Sequence, residues 1–219
     1  MEKSLWILNH ASGIPSVGHL QAWLDETFSP KRAILAYEDT NKSSRQQWAI
    51  NGRGIKAPAI LLLYTDERID LDTVWPSYLS VSCGYQMKAK DILPIKDIAT
   101  FDTYPFVLQI SGFLFNDGLA RSQAIEYWQT EHAHIACEYQ TTVGYTQNIV
   151  IGQSPFAPDM DGWVEEAFPE KAMLDPQLFF AADTPQQMQR HLDAIVSSSS
   201  RFIAMESLFV QHYSAIKLI

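Results

Sequence analysis

Cysteine is scarce in this chain of 219 residues. Cys83 and Cys137 are too few for a disulfide framework and too far apart for a metal-ligand or redox pair, so free thiols are expected. Long apolar runs are missing too. The opening MEKSLWILNHASG holds only a four-residue apolar run, too short for the core of a signal peptide. No stretch approaches the ~20 apolar residues that a membrane span requires. Basic residues are few and scattered, 16 Lys and Arg against 25 Asp and Glu, for a net charge of −9. Nucleic acid and anionic membrane are therefore poor partners, because phosphate contact needs clustered positive charge. A cytoplasmic location is expected. No Walker loop, G-x-G-x-x-G, H-E-x-x-H or G-x-S-x-G occurs, which removes the most recognisable nucleotide, zinc and serine-hydrolase signals.

What the chain does have is 47% hydrophobic residues, enough for one large core or two of about 100 residues each. In the second half, Phe106 to Phe115 alternates as a strand before the turn signal Asn116-Asp117-Gly118. Ser122 is placed to cap a helix reaching Tyr139, and strands follow at Tyr145 to Ile151 and Trp163 to Phe168. Thr184 and Pro185 open a second helix ending near Val196, with Ser197 to Ser200 as a break and Ser207 to Tyr213 as a last strand. That order, β-α-β-β-α-β, is ferredoxin-like. The first half repeats it more faintly. Strands are expected at Leu5 to Asn9, Ala33 to Tyr37, Ala59 to Thr65 and Val81 to Ala89, with a helix at Val17 to Phe28 and a short one, interrupted by Pro76, at Leu71 to Leu79. Asn41 to Lys56 is a long connection and Pro94 to Tyr104 a linker. The fold class is therefore α+β, a tandem of a degenerate unit over 1–100 and a standard unit over 104–216. Two such units packed sheet to sheet build a barrel within one chain.

The most informative stretch is 127–148, YWQTEHAHIACEYQTTVGYTQN. Ile125, Trp128, Ile135, Ala136 and Tyr139 form a helical stripe that includes His132, which should face inward. His134 lies about 200° around the helix and should face away, so the two cannot be a helical metal pair. No metal site is expected.

Together with Asp161-Gly162 and Arg201-Phe202-Ile203, the motifs Tyr127-Trp128, Glu131-His132-Ala133-His134-Ile135 and Gly144-Tyr145-Thr146-Gln147-Asn148 resemble the EthD-like family of dimeric α+β barrel proteins. The resemblance covers about residues 104–216. One departure is plain: the family's His-Ala-Pro-Leu pattern has a proline where His134 stands. The resemblance implies a ligand cavity between the sheet and the helices of one unit, and a cofactor-free cyclase, isomerase, dehydratase or monooxygenase acting on an aromatic, polyketide or lactone-like substrate. A non-catalytic small-molecule or haem-binding barrel is the alternative. A homodimer is left open.

His132 is the first catalytic candidate, since an imidazole can exchange protons near neutral pH without a cofactor. Tyr145 and Gln147 share one face of their strand, where a phenol and an amide could orient a carbonyl or stabilise an enolate, while Asn148 takes the other face unless a bulge intervenes. Asp161, Trp163 and Glu165 share a face of the next strand and Glu166 takes the opposite one. Glu165 is the carboxylate expected to orient or partner His132. Trp128 and Cys137 complete the expected substrate-binding set. His191 is expected at the surface, and His212 and Tyr213 on opposite faces of the last strand. His10 and His19 carry no motif.

Overall fold

The computed structural model describes residues 1–9, 17–38, 49–95 and 103–219. Among them the strands are β1 (Glu2–Leu8), β2 (Arg32–Tyr37), β3 (Ile50–Asn51), β4 (Ala59–Thr65), β5 (Val81–Leu93), β6 (Phe106–Phe113), β7 (Gly144–Gln153), β8 (Gly162–Pro169) and β9 (Phe209–Lys217). They pair antiparallel in the order β2-β4-β1-β5-β7-β8-β6-β9, and β9 pairs back onto β2. The result is a closed eight-stranded barrel with the short β3 added to β9. Closure removes the long unpaired edges that an open sheet of this size would expose. The order within the first half, β2-β4-β1-β5, recurs in the second as β7-β8-β6-β9.

The period-two alternation of side chains decides what lies inside. Leu5 and Ile7 of β1 point into the barrel with Leu62, Tyr85, Ile110, Trp163 and Tyr213, so residues of both halves share one interior core. Trp6 and Leu8 point outward. There they meet Leu20 and Leu24 of helix α1 (Val17–Phe28). Both faces of β4 are covered, which is why its sequence AILLLYT is a continuous apolar run in place of an alternating one.

The second half carries the larger helical layer: α2 (Arg121–Tyr127), a π-helical turn over Trp128–His132, α3 (Ala133–Tyr139), α4 (Pro176–Phe179) and α5 (Pro185–Phe202). None of the described helices is long and apolar enough to cross a membrane.

Several local expectations need correction. Leu71 to Leu79 is a set of turns and not a helix. Asp70 accepts from the Asp72 N–H at 3.0 Å, Pro76 has no N–H to offer a helix, and Trp75 tucks against Trp6 and Trp23. Ser122 is not a cap. Ala120 holds that position, its N–H donating to Gln123 Oε1 at 3.3 Å. Thr184 and Pro185 do open α5, but the serine run does not break it: the Ser200 hydroxyl bonds back to the Ser197 carbonyl, and Ser198 and Phe202 stay on the buried face. β5 extends past Ala89 to Leu93 because it pairs along most of β7. Ser207 lies in a 3₁₀ turn, and β9 starts at Phe209 and runs on to Lys217 to reach β2. His10, residues 41–48 of the expected connection and residues 96–102 of the expected linker lie outside the described residues.

Candidate active site between the sheet and the helices

Trp128 organises the helix-side face of the sheet. It is fully buried against Phe113 and Phe202, with ring centroids 5.0 and 6.1 Å away. Its approach depends on Gly162, where an added Cβ would lie 3.0 Å from the indole and 2.8 Å from Phe113. The helix widens to a π turn at this residue. A π turn alters the regular ladder of backbone bonds, and here Gln147 of β7 supplies a donor to the Trp128 carbonyl at 2.9 Å. The same amide nitrogen donates to the Tyr145 hydroxyl at 2.8 Å, and the Trp128 indole N–H donates to that hydroxyl at 3.2 Å.

Tyr145 is thereby left with a definite role. Both lone pairs of its oxygen are taken by donors, while its own proton has no acceptor among the hydrogen bonds of the described residues. Burial, reinforced by the Glu166 charge, pushes its pKa far above the usual phenol value, so the proton stays on. It is an obligate donor on a residue that lines a cavity of about 140 Å³, together with Gln109, Trp128, His132, Glu166 and Phe202.

Glu166 is the group of that cavity that titrates near neutral pH. It is 7% exposed and faces no described cation, and burial pushes its pKa up to about 7 even though Gln109 Nε2 donates to its Oε2 at 2.8 Å. With that nitrogen committed to the carboxylate, Gln109 Oε1 must accept, so the buried His212 holds its proton on Nε2 and donates at 2.9 Å. The three residues form an ordered row across β8, β6 and β9. A carboxyl that exchanges its proton near neutral pH, opposite a phenol that can only donate, can remove a proton and stabilise the anion left behind.

His132 is buried as its helical stripe predicts, and His134 is exposed, within 3.3 Å of Glu138. The imidazole meets Ser198 Oγ through Nδ1 at 3.0 Å and packs edge-on against Phe202. Burial pushes its pKa down to about 4, so at neutral pH it is an uncharged wall of the cavity.

The structure separates the remaining candidates. Glu165 is not near His132. It points into the barrel, paired with Lys3 and bonded by Asn148 Nδ2 at 2.9 Å. Asn148 is there with it and no bulge brings it to the helix side, so neither shares a cavity with His132. Gln147 is spent on positioning Trp128 and Tyr145. Cys137 is a half-buried free thiol against the helix-side core, close enough to Glu166 that this charge, after burial, helps push its pKa up. Asp161 pairs with Arg121 and accepts from the Phe115 N–H at 2.8 Å, a structural clasp. His191 is half-buried and not at the surface, bonded to the Phe180 carbonyl at 2.6 Å and stacked on Tyr139. His19 is exposed, and Tyr213 points into the barrel, donating to the Ala57 carbonyl at 2.7 Å. Glu166, Gln109 and Ser198 were not singled out from sequence. The signal for Glu166 was its place between Val164 and Phe168 on the apolar, helix-facing side of β8. No three His, Cys, Asp or Glu side chains among the described residues gather to hold a metal.

No family model matches this chain, and no curated protein matches it. Among solved structures it resembles an anthrone oxidase-like protein, with a TM-score of 0.59 and 8% identity over 98% of this chain and 90% of that one. It also resembles a "putative monooxygenase" from Lactobacillus acidophilus NCFM, with a TM-score of 0.50 and 8% identity over 100% and 94%. At that identity the likeness shows the fold, an α+β barrel with an antiparallel sheet.

Proposed function

We propose that the chain is a small-molecule enzyme of the oxygenase type, in which Glu166 removes a proton from an activated C–H or O–H and Tyr145 stabilises the enolate or phenolate that results. The observation that carries this reading is a buried carboxyl with a pKa of about 7 lining a small aromatic-walled cavity, with its cross-strand neighbour a phenol whose proton has no acceptor among the described residues. The names of the two similar structures, an anthrone oxidase-like protein and a "putative monooxygenase", support the same reaction class. An electron-rich anion can pass electrons to dioxygen directly. For an activated methylene the balance is CH₂ plus O₂ giving C=O plus water, the substrate supplying all the electrons. The resemblance to the EthD-like family supports a reaction of this kind without a dissociable cofactor. The recurring strand order supports reading the barrel as two ferredoxin-like units in tandem.

Cavity size narrows the substrate. A void of about 140 Å³ is close to the ~150 Å³ cavity that accepts benzene and below the ~300 to 1,000 Å³ of pockets for drug-sized ligands. A single ring fits this conformation; a tricyclic substrate or haem needs the helices to part.

The test is oxygen uptake over a panel of hydroquinones and cyclic 1,3-dicarbonyl compounds, with solvent-deuterium exchange under argon to read proton abstraction apart from oxidation. Glu166→Gln is expected to lower both by about 10² to 10⁴. Unchanged rates in Glu166→Gln, or no uptake and no exchange by the wild-type protein across the panel, would overturn the assignment.

A further inference from the structure

A second cavity lies on the opposite side of β8, inside the barrel. Lys3, Tyr64 and Arg32 sit side by side at one level of β1, β4 and β2, and Glu165 reaches to this level from β8 to pair with Lys3. Beside them is a void of about 200 Å³, lined by Arg32, Tyr64 and Glu165 and by the apolar side chains of Ile34, Phe106 and Leu108. Tyr104, stacked on Phe106 at 5.0 Å and 16°, adds a flat aromatic wall.

Of the two cations and two carboxylates here, only Lys3 and Glu165 form an ion pair among the described residues. Lys3 is neutralised by Glu165, which also takes the Tyr64 hydroxyl at 3.4 Å. The Arg32 guanidinium lies 3.7 Å from the centre of the Tyr64 ring, and its Nε is buried without a hydrogen-bond partner. Asp91 at the rim is occupied by the Thr146 hydroxyl at 2.7 Å. A planar cation that lines an aromatic and aliphatic void and forms no ion pair among the described residues is a receptor for a carboxylate attached to an apolar body. The void exceeds the ~150 Å³ that holds benzene by about the room a carboxylate needs.

We propose that this interior cavity is a second ligand site, for a small single-ring organic carboxylate held by Arg32 and packed against Tyr104, Phe106 and Leu108. It is distinct from the helix-side site, because Glu165 faces one cavity and its neighbour Glu166 the other, with Tyr145 bordering both.

The experiment is calorimetric titration of the full chain with benzoate as probe, and with benzamide and inorganic phosphate as comparison ligands. Wild-type protein is expected to bind benzoate, with benzamide and phosphate at least about tenfold weaker. Arg32→Gln should weaken benzoate by about ten- to a hundredfold, the usual worth of a hydrogen bond to a charged group. Ala167→Leu, which keeps Arg32 and fills the void, should do the same, and it decides the matter if Arg32→Gln fails to fold. Glu166→Gln should leave benzoate affinity unchanged. The proposal is overturned if benzoate does not bind at millimolar concentration, or if the Arg32 and Ala167 variants bind it as wild type does. It is equally overturned if Glu166→Gln abolishes binding, which would place the ligand in the other cavity, or if phosphate binds as well as benzoate.

Discussion

Replacing Glu166 by Gln should change how stability depends on pH, and the size of the change follows from the site. The native carboxyl keeps its proton up to about pH 7, whereas the unfolded one loses it near 4.5. Between those values the folded state holds the extra proton, so wild-type stability falls as pH rises, by about 3 kcal/mol in full at roughly 1.4 kcal/mol per tenfold. His132 acts in the opposite sense. Its native value of about 4 lies below its unfolded value of 6.5, so its contribution is present above pH 6.5 and is lost as pH falls toward 4. From pH 5 to 8 the two nearly cancel, and the wild-type curve should be close to level. Glu166→Gln keeps the acceptor for Gln109 and removes the falling contribution. Its stability relative to wild type should therefore climb by about 2 to 3 kcal/mol over that range. Urea unfolding of both proteins at half-unit pH steps reads the difference directly, since titrations common to both drop out. A difference that stays within about 0.5 kcal/mol from pH 5 to 8 would show that Glu166 is not a carboxyl held protonated by burial, and the proposed base would go with it.

Trp128→Ala should cost about 3 to 5 kcal/mol in denaturant unfolding, because it empties the centre of the helix-side core; a loss below ~1 kcal/mol would mean the indole is not the anchor of that layer. If Glu166 is the base, log kcat/KM should rise with pH and level off above about 7, whereas His134→Ala, altering an exposed side chain, should change rates less than tenfold. Tyr145→Phe should lower kcat more than it raises KM, since the donated proton matters most once charge has formed; an effect confined to KM would make Tyr145 a binding group only. Lys3→Met should destabilise by about 3 to 5 kcal/mol by leaving Glu165 buried without its cation, and Lys3→Met with Glu165→Leu should recover much of that loss.

The parts of the fold that could be read from sequence are those where one period dominates. Val17 to Phe28 and Ala59 to Thr65 were placed with the bounds found in the structure, because a clean stripe in one and an unbroken apolar run in the other admit a single reading. Leu71 to Leu79 shows the limit of that rule: its apolar residues fall at helical spacing, but Trp75 packs into a cluster of indoles from an Asp-capped turn, and Val74 is left exposed. The inward turn of His132 was legible from its stripe. Its partner was not, since Ser198 lies 66 residues away on a helix that local composition suggested would already have stopped. Barrel closure through β2 and β9 joins residues nearly the whole chain apart, and no local pattern encodes it.

The carboxylates Glu165 and Glu166 show where sequence reasoning about chemistry runs out. Alternation along β8 put them on opposite faces, but it could not say which face belonged to His132 or what each carboxylate would meet there. The answer depends on the far wall. Strand β1, on the other side of the barrel interior, presents Lys3 to Glu165, and the two form a buried ion pair. Strand β6 presents only the neutral amide of Gln109 to Glu166, which orients the carboxylate without compensating the cost of burying its charge. One residue of register therefore divides a structural ion pair from a proton-exchanging group. A slip of β8 by one position would turn each carboxylate to the other face of the sheet and break this division. The pairing of β8 with β6, Gln109 opposite Glu166 and Ile110 opposite Glu165, is thus as much a determinant of the proposed chemistry as the identity of either acid.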